Sequence, residues 1–342
     1  MRPDRSESAS ARMQLGALAL VLALLVPALI TEAQQTANDS RVGVLYPGSA
    51  DYWAPGGPMA HIPQALREGL AKLGYFEGQN LTIEFRAAEG EVDRLRDLAV
   101  QLIERRVQVL LVTGPTALKA ARTVTAIVPI VAIDLETDPV AAGYITSLAR
   151  PGGNVTGVFL DQAELSGKWL ELIREAVPGL SRVAVLRDAA TPLHQLHAIQ
   201  AAAKKLAVNP QTLEIRRVQE IEEAFARAAS RRAQAVVMLS SPLVSRHGAE
   251  LAAAATARRL PTISMFRENV AAGCLMGYGP SLADAWRRLG SFAGRILKGA
   301  KAAEMPVERP NRFEFVVNMK TAKTLGLTLP PSLLLRADQA IE

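Results

Sequence analysis

From Arg41 onward, short β-branched and apolar runs alternate with stretches whose apolar positions recur at helical spacing. Residues 42–46 (VGVLY) predict a buried strand ending at Pro47-Gly48, and residues 64–73 predict a helix stopped by Gly74. A strand over 81–85 and a helix over 92–105 come next. That helix sets Leu95, Leu98, Ala99 and Leu102 on one face. Residues 107–112 form a nearly unbroken apolar run bounded by Thr113-Gly114-Pro115, the pattern of a strand covered on both faces. A helix over 117–125 and a strand over 129–133 complete the unit. Such βαβα alternation predicts a parallel, doubly wound sheet with right-handed crossovers.

A second unit follows the richest turn cluster in the chain, Arg150-Pro151-Gly152-Gly153-Asn154. Residues 155–159 predict a strand leading out of the first unit. An amphipathic helix then places Leu165, Trp169, Leu172, Ile173 and Ala176 together. Strands over 183–186, 213–218, 235–239 and 261–265 alternate with helices over 193–206, 221–229 and 246–257. The predicted fold class is therefore α/β, with two Rossmann-like, doubly wound parallel-sheet lobes. Two such lobes set two rows of strand C-terminal ends opposite each other. Ligands bind outside those ends in open parallel sheets, so the pattern alone predicts a cleft.

The 342 residues suffice for two domains of roughly 150 residues each. With 49% hydrophobic and 21% charged residues, the chain is neither disordered nor collagen-like. A net charge of +6 raises the question of nucleic acid. The basic residues, however, stand as isolated pairs such as Arg105-Arg106, Arg216-Arg217 and Arg287-Arg288, with no interleaved aromatics. Nucleic acid is not an expected partner. The single cysteine, Cys274, excludes an intrachain disulfide and a cysteine-based zinc site, and its apolar neighbours Leu275 and Met276 place it in a core.

Residues 15–30 form an uncharged apolar run preceded by Arg2, Arg5 and Arg12, with Thr31 and Ala33 at small-residue cleavage positions. A cleavable signal peptide over residues 1–33 is the expectation, and export to a periplasm with it. Asp4 and Glu7 dilute the positive flank, which leaves a retained anchor as the other reading.

Catalytic and cofactor motifs fail one by one. In Gly152-Gly153-Asn154-Val155-Thr156-Gly157, Asn154 replaces a required glycine of a dinucleotide loop, and the run precedes a strand instead of following one. Neither a nucleophile elbow nor a His-Glu-x-x-His metal motif occurs. His194 and His197 share a helix face with no third ligand placed beside them, so a solvated face is expected and no cofactor or metal.

Polar residues gather instead at strand-to-helix junctions. Ser49, Asp51 and Tyr52 follow the first strand. Thr113, Gly114, Pro115 and Thr116 follow the third, with Pro115 suited to a first helical turn. A helix start presents unpaired N–H groups and partial positive charge, worth about 0.3–2 kcal/mol to a ligand carboxylate. Asp138 follows the fourth strand, while Asp188, Ser240 and Phe266 hold the equivalent places in the second unit and Tyr278 ends its last strand. Asp188 suits a ligand ammonium, and Tyr52, Phe266 or Tyr278 suits an apolar part. Taken singly, each Ser, Thr or Asp has helix capping as its competing role. Their convergence on one cleft favours binding. Asp134 and Glu136 stand outside this set.

Five segments carry a family resemblance: residues 69–80 (GLAKLGYFEGQN), 147–157 (SLARPGGNVTG), 175–186 (EAVPGLSRVAVL), 277–280 (GYGP) and 313–327 (FEFVVNMKTAKTLGL). Through them the chain from Arg41 to Glu342 resembles the ABC transporter substrate-binding proteins, a family that includes tryptophan- and other amino-acid-uptake proteins. The resemblance implies a type I periplasmic-binding fold whose lobes close about hinge crossings. The lobes would be residues 41–157 with 281–310, and 158–280 with 311–342. It also implies ligand positions at 49–52, 113–116, Asp138, Asp188, Ser240 and 266–268, the last including Glu268. Two departures touch the cleft. Residues 186–190 (LRDAA) replace a usual Asn-Pro loop, and Tyr52-Trp53-Ala54-Pro55-Gly56-Gly57-Pro58 looks like an insertion.

The expected function is the periplasmic solute-binding component of an ABC importer, a non-enzymatic monomer. It would capture a small polar ligand, an amino acid or related carboxylate, and deliver it to an inner-membrane permease. A periplasmic sensory module signalling to a membrane receptor is the alternative, since the same fold serves both.

Overall fold

The computed structural model describes residues 40–160, 165–191 and 193–342; the expected signal peptide lies outside them. The first sheet holds β1 (Ser40–Tyr46), β2 (Leu81–Ala87), β3 (Val109–Thr113), β4 (Ile130–Asp134) and β5 (Val155–Phe159). All its pairings are parallel, in the order β2-β1-β3-β4-β5. The apolar runs are continuous because both faces are covered. Leu110 and Val112 pack with α2 (Leu95–Glu104) and α3 (Gly114–Val124). On the opposite face Val109 and Leu111 pack with α1 (Ile62–Ala71). Every buried side chain on these strands thereby stays out of water on either side of the pleat.

The second sheet holds β6 (Arg182–Asp188), β7 (Asn209–Ile215), β8 (Ala235–Met238), β9 (Thr262–Ser264), β10 (Met276–Pro280), β11 (Phe313–Asn318) and β12 (Gln339–Ile341). Its order, β12-β11-β10-β9-β8-β6-β7, repeats the first sheet's plan in the five strands β6 to β10. The helices α4 (Ser166–Ala176), α5 (His194–Lys205), α6 (Ile221–Ser230), α7 (Pro242–Arg246), α8 (Gly248–Ala257) and α9 (Arg267–Ala271) surround it. The α/β class with two doubly wound sheets is as the alternation predicts. Cys274 is fully buried, which pushes its thiol up to about 12 and leaves it unreactive.

Three local expectations change. The strand expected over 213–218 is β7, which begins earlier and spans Asn209–Ile215, with Val218 starting a turn of 3-10 helix. The helix expected over 246–257 is divided into α7 and α8 at His247. Ser241 starts the earlier helix by accepting from Val244 N–H at 3.0 Å, and Pro242 fixes its first turn. Strand β11 runs antiparallel to β10, an exception to the parallel pattern. Between them the chain leaves the sheet as α10 (Leu282–Leu297), and it re-enters from the other end. The last helices, α11 (Met319–Leu325) and α12 (Pro331–Leu334), lead into β12.

Helix α10 starts from the second sheet yet packs on the first. Leu289, Phe292 and Ala293 are buried with Leu66 and Leu70 of α1. The crossing is close enough to need glycine on both helices. A Cβ on Gly69 would stand 2.0 Å from the Arg287 carbonyl oxygen, and one on Gly290 2.4 Å from that of Leu66. Arg287 also pairs with Glu68 across the same contact at 2.9 Å. Within α10, Arg288 bonds Asp284 one turn back at 2.8 Å and reaches Glu308 at 2.7 Å, fastening the returning segment beside β5. Replacing Gly290 by Ala should separate α10 from α1 and cost about 1–3 kcal/mol. Thermal unfolding should show a midpoint several degrees lower, and an unchanged midpoint would contradict this account of the contact.

Candidate functional site

Each sheet changes direction of build-up between its first and third strands, β1/β3 in one and β6/β8 in the other. Loops at such a switch point diverge and leave a crevice at the strand C-terminal ends. Here the two crevices face each other and share one cavity with about 720 Å³ of space unfilled by protein atoms, part of it open to solvent. From the first sheet come Tyr46, Gly48 and Tyr52 after β1, Thr113 and Gly114 after β3, and Glu136 after β4. Ser245, Arg246 and Phe266 line it from the second, and Trp286 of α10 closes a side.

The two sheets touch across this cavity. The Tyr52 hydroxyl donates to the Arg246 carbonyl oxygen. Ser240 Oγ donates to Glu136 Oε1 at 3.3 Å, and His61 Nε2 lies 3.3 Å from Glu268 Oε1. These contacts join residues far apart in sequence and mark a closed arrangement.

Of the residues expected from sequence, Tyr52, Thr113, Gly114 and Phe266 line the cavity. Thr113 and Thr116 flank the start of α3, and both hydroxyls are buried with no hydrogen-bond partner. Gly114 there adopts a φ of +77°, a conformation costly for any residue with a side chain. Pro115 fills the first turn of α3. Ser240 bonds Glu136 from the facing sheet, and Glu268 is buried with neither carboxylate oxygen in a hydrogen bond.

Others cap turns. Ser49 accepts from Asp51 N–H at 3.3 Å, with Asp51 itself exposed. Asp138, also exposed, accepts from the N–H groups of Val140 and Ala141 at 2.9 and 3.1 Å. Asp188 is buried and accepts from Ala190 N–H at 2.9 Å, while its charge acts on Glu136. Tyr278 stacks on Phe313 at 6.0 Å and is not among the cavity's lining residues. His197 is exposed on α5.

Sequence reasoning missed Glu136 and Arg246. Glu136 is two residues past the end of β4, in the same kind of junction as Thr113, so its position alone could have found it. Burial pushes its carboxyl up to about 8, with the charges of Asp134 and Asp188 adding to the shift and the Ser240 bond opposing it. Its Oε2 is buried without a partner. Asp134 is raised to about 6 by burial, held back by the Glu136 N–H it accepts at 3.0 Å. Arg246 was hidden by the helix expected to begin at that residue. The inserted segment after Tyr52 has a packing role: the Trp53 ring lies 4.7 Å from Phe85 and 4.7 Å from Trp286, backing the Trp286 side chain that lines the cavity.

Two open α/β lobes meeting at paired switch points, with the chain passing between them after β5, after β10 and before β11, define the type I periplasmic-binding class. The chain belongs to the ABC transporter substrate binding protein family, whose profile matches residues 55–341. A tyrosine-binding protein of Clostridioides difficile (strain R20291) is 24% identical over 268 residues, covering 76% of this chain and 75% of that protein. An ABC domain in complex with L-Trp from Streptococcus pneumonia superposes with a TM-score of 0.78 at 24% identity, covering 89% of this chain and 100% of that one. A ligand-free, open substrate-binding protein with adhesive properties from Clostridium difficile gives 0.65 at 20% identity, covering 89% and 99%. Among the described residues no helix is long and apolar enough to cross a membrane.

Asp134 and Glu136 are raised above their ordinary values of 3.8 and 4.5. The stability they contribute is therefore complete below those values and is lost as pH rises through about 6 and then about 8. Melting of the ligand-free protein should fall between about pH 5 and about pH 9, and Glu136→Gln should flatten the upper part of that fall. Parallel curves for the two proteins would refute the burial of an unpaired Glu136 charge.

Proposed function

We propose that this protein is the exported solute-binding component of an ABC importer and that it closes on the zwitterionic head of an amino acid bearing an apolar or aromatic side chain. The observation that carries the reading is Glu136, a carboxylate with one oxygen spent on the facing sheet and the other buried without a partner. A buried carboxylate in that state calls for a cation, and a ligand ammonium supplies one. The neighbouring strand end offers the start of α3 with the two unpartnered hydroxyls of Thr113 and Thr116, suited to a carboxylate. The remaining wall, with Tyr46, Met59, Phe266 and Trp286, suits an apolar body.

Support comes also from the relatives, one named as tyrosine-binding and one solved with L-Trp. The chain superposes better on that complex than on the open, ligand-free protein, in keeping with the closed lobes. Residues 41–157 with 281–310 would move against 158–280 with 311–342 about the crossings. The closed form would then be the one a permease recognises. The apolar N-terminal run supports delivery to the periplasm.

A thermal-shift screen of the purified protein against amino acids, organic acids, sugars and nucleosides tests the ligand class. A ligand at a hundred times its Kd should add about 2.7 kcal/mol of stability. Stabilisation by sugars or nucleosides with none by amino acids would overturn the reading. For the bound amino acid, Glu136→Gln should weaken affinity roughly tenfold or more and Thr116→Ala several-fold, measured by calorimetry.

A further inference from the structure

Arg246 stands at the other end of the cavity from Glu136. Its guanidinium lies against Gly90, where a Cβ would come within 1.6 Å of Nη1. Gly90 follows β2, whereas Glu136 follows β4, and β1 and β3 lie between those strands in the sheet. Three strand spacings, roughly 14 Å, separate β2 from β4, and the Arg246 and Glu136 side chains line one cavity. Between them the lining is mostly apolar, with Tyr46 and Pro47 at the end of β1, Met59, and Trp286 of α10 beside Thr113 of β3.

The guanidinium makes no ion pair among the described residues, and its buried Nε has no hydrogen-bond partner. The contact that Arg246 gives to closure comes from its backbone carbonyl, which accepts the Tyr52 hydroxyl; the guanidinium charge acts on Glu89 from a distance, without an ion pair or hydrogen bond to it. The residue is half-buried, but its Nε–H is shut off from water, and a buried donor without an acceptor is costly, so an acceptor belongs opposite it.

We propose that Arg246 is the specificity residue of this cleft: its Nε–H donates to an acceptor oxygen at the far tip of the ligand's apolar side chain, as a phenolic hydroxyl provides. The assignment rests on the amino-acid reading above, with the ligand head at Glu136 and the start of α3. An aliphatic or unsubstituted aromatic side chain leaves the Nε unpaired and binds less well.

Calorimetric titration with L-tyrosine and L-phenylalanine, which differ only at that tip, tests it on the wild type and on Arg246→Met. The Met variant keeps an unbranched apolar stem and the backbone carbonyl that Tyr52 uses. The wild type should prefer tyrosine about tenfold or more, and the preference should collapse towards unity in Arg246→Met. Equal affinities in the wild type, or a preference unmoved by the substitution, would overturn the role of Arg246 alone. Equal loss of both ligands in a variant that still melts cooperatively would overturn it too, placing Arg246 in closure. Binding of no amino acid at all would overturn the amino-acid reading and this assignment together.

Discussion

The close crossing of α10 on α1 is the contact on which the rest of the arrangement depends. Two glycines, Gly69 and Gly290, let the helix backbones approach to a distance that no β-carbon would permit. The helix that begins in the second sheet is thereby rooted on the first. Trp286 and Leu282, near the start of α10, are carried into the cavity wall, and Arg288 holds the returning segment through Glu308. Were α10 to pack on the sheet it leaves, Trp286 and Leu282 would be withdrawn from the wall of the cavity that the two crevices share.

Once the lobes face each other, electrostatics decides what the cleft can hold. Glu136 is buried, and desolvation together with the nearby charges of Asp134 and Asp188 pushes its carboxyl towards the neutral form. A cation arriving between the lobes reverses that preference, because it pairs with the charge that burial opposes. Under the proposed function, ligand binding and closure would be coupled by one interaction, since Glu136 also receives Ser240 from the opposite lobe. The apolar aromatic wall strengthens the effect by excluding water from the pair.

Much of the fold was legible in the chain. Continuous apolar runs such as residues 107–112 announced strands covered on both faces, and turn clusters marked where one unit gave way to the next. Antiparallel β11 was not legible, because its direction depends on where α10 docks and not on its own alternating residues. The site was legible in part. The cavity-lining Thr113 and Gly114 followed from a helix start after a buried strand, a local pattern. Asp138 obeyed the same pattern yet caps an exposed turn, because the loop after β4 turns outward beyond Glu136. Arg246 was concealed by a helix boundary set by Ser241 and Pro242 a turn earlier than periodicity suggested.

By itself, then, the sequence determined most of the elements, the parallel pairing of the alternating β and α runs and the kind of residue at each strand end, because propensity, period and helix-start chemistry act over a few neighbours. Only the tertiary structure decided which of those ends meet. That the carboxylate of Glu136 faces Ser240, that Tyr52 reaches Arg246 and that Tyr278 turns to Phe313 depend on how two lobes are set by a crossing between distant helices. Such long-range placement is fixed by packing between surfaces, and no local pattern in the chain encodes it.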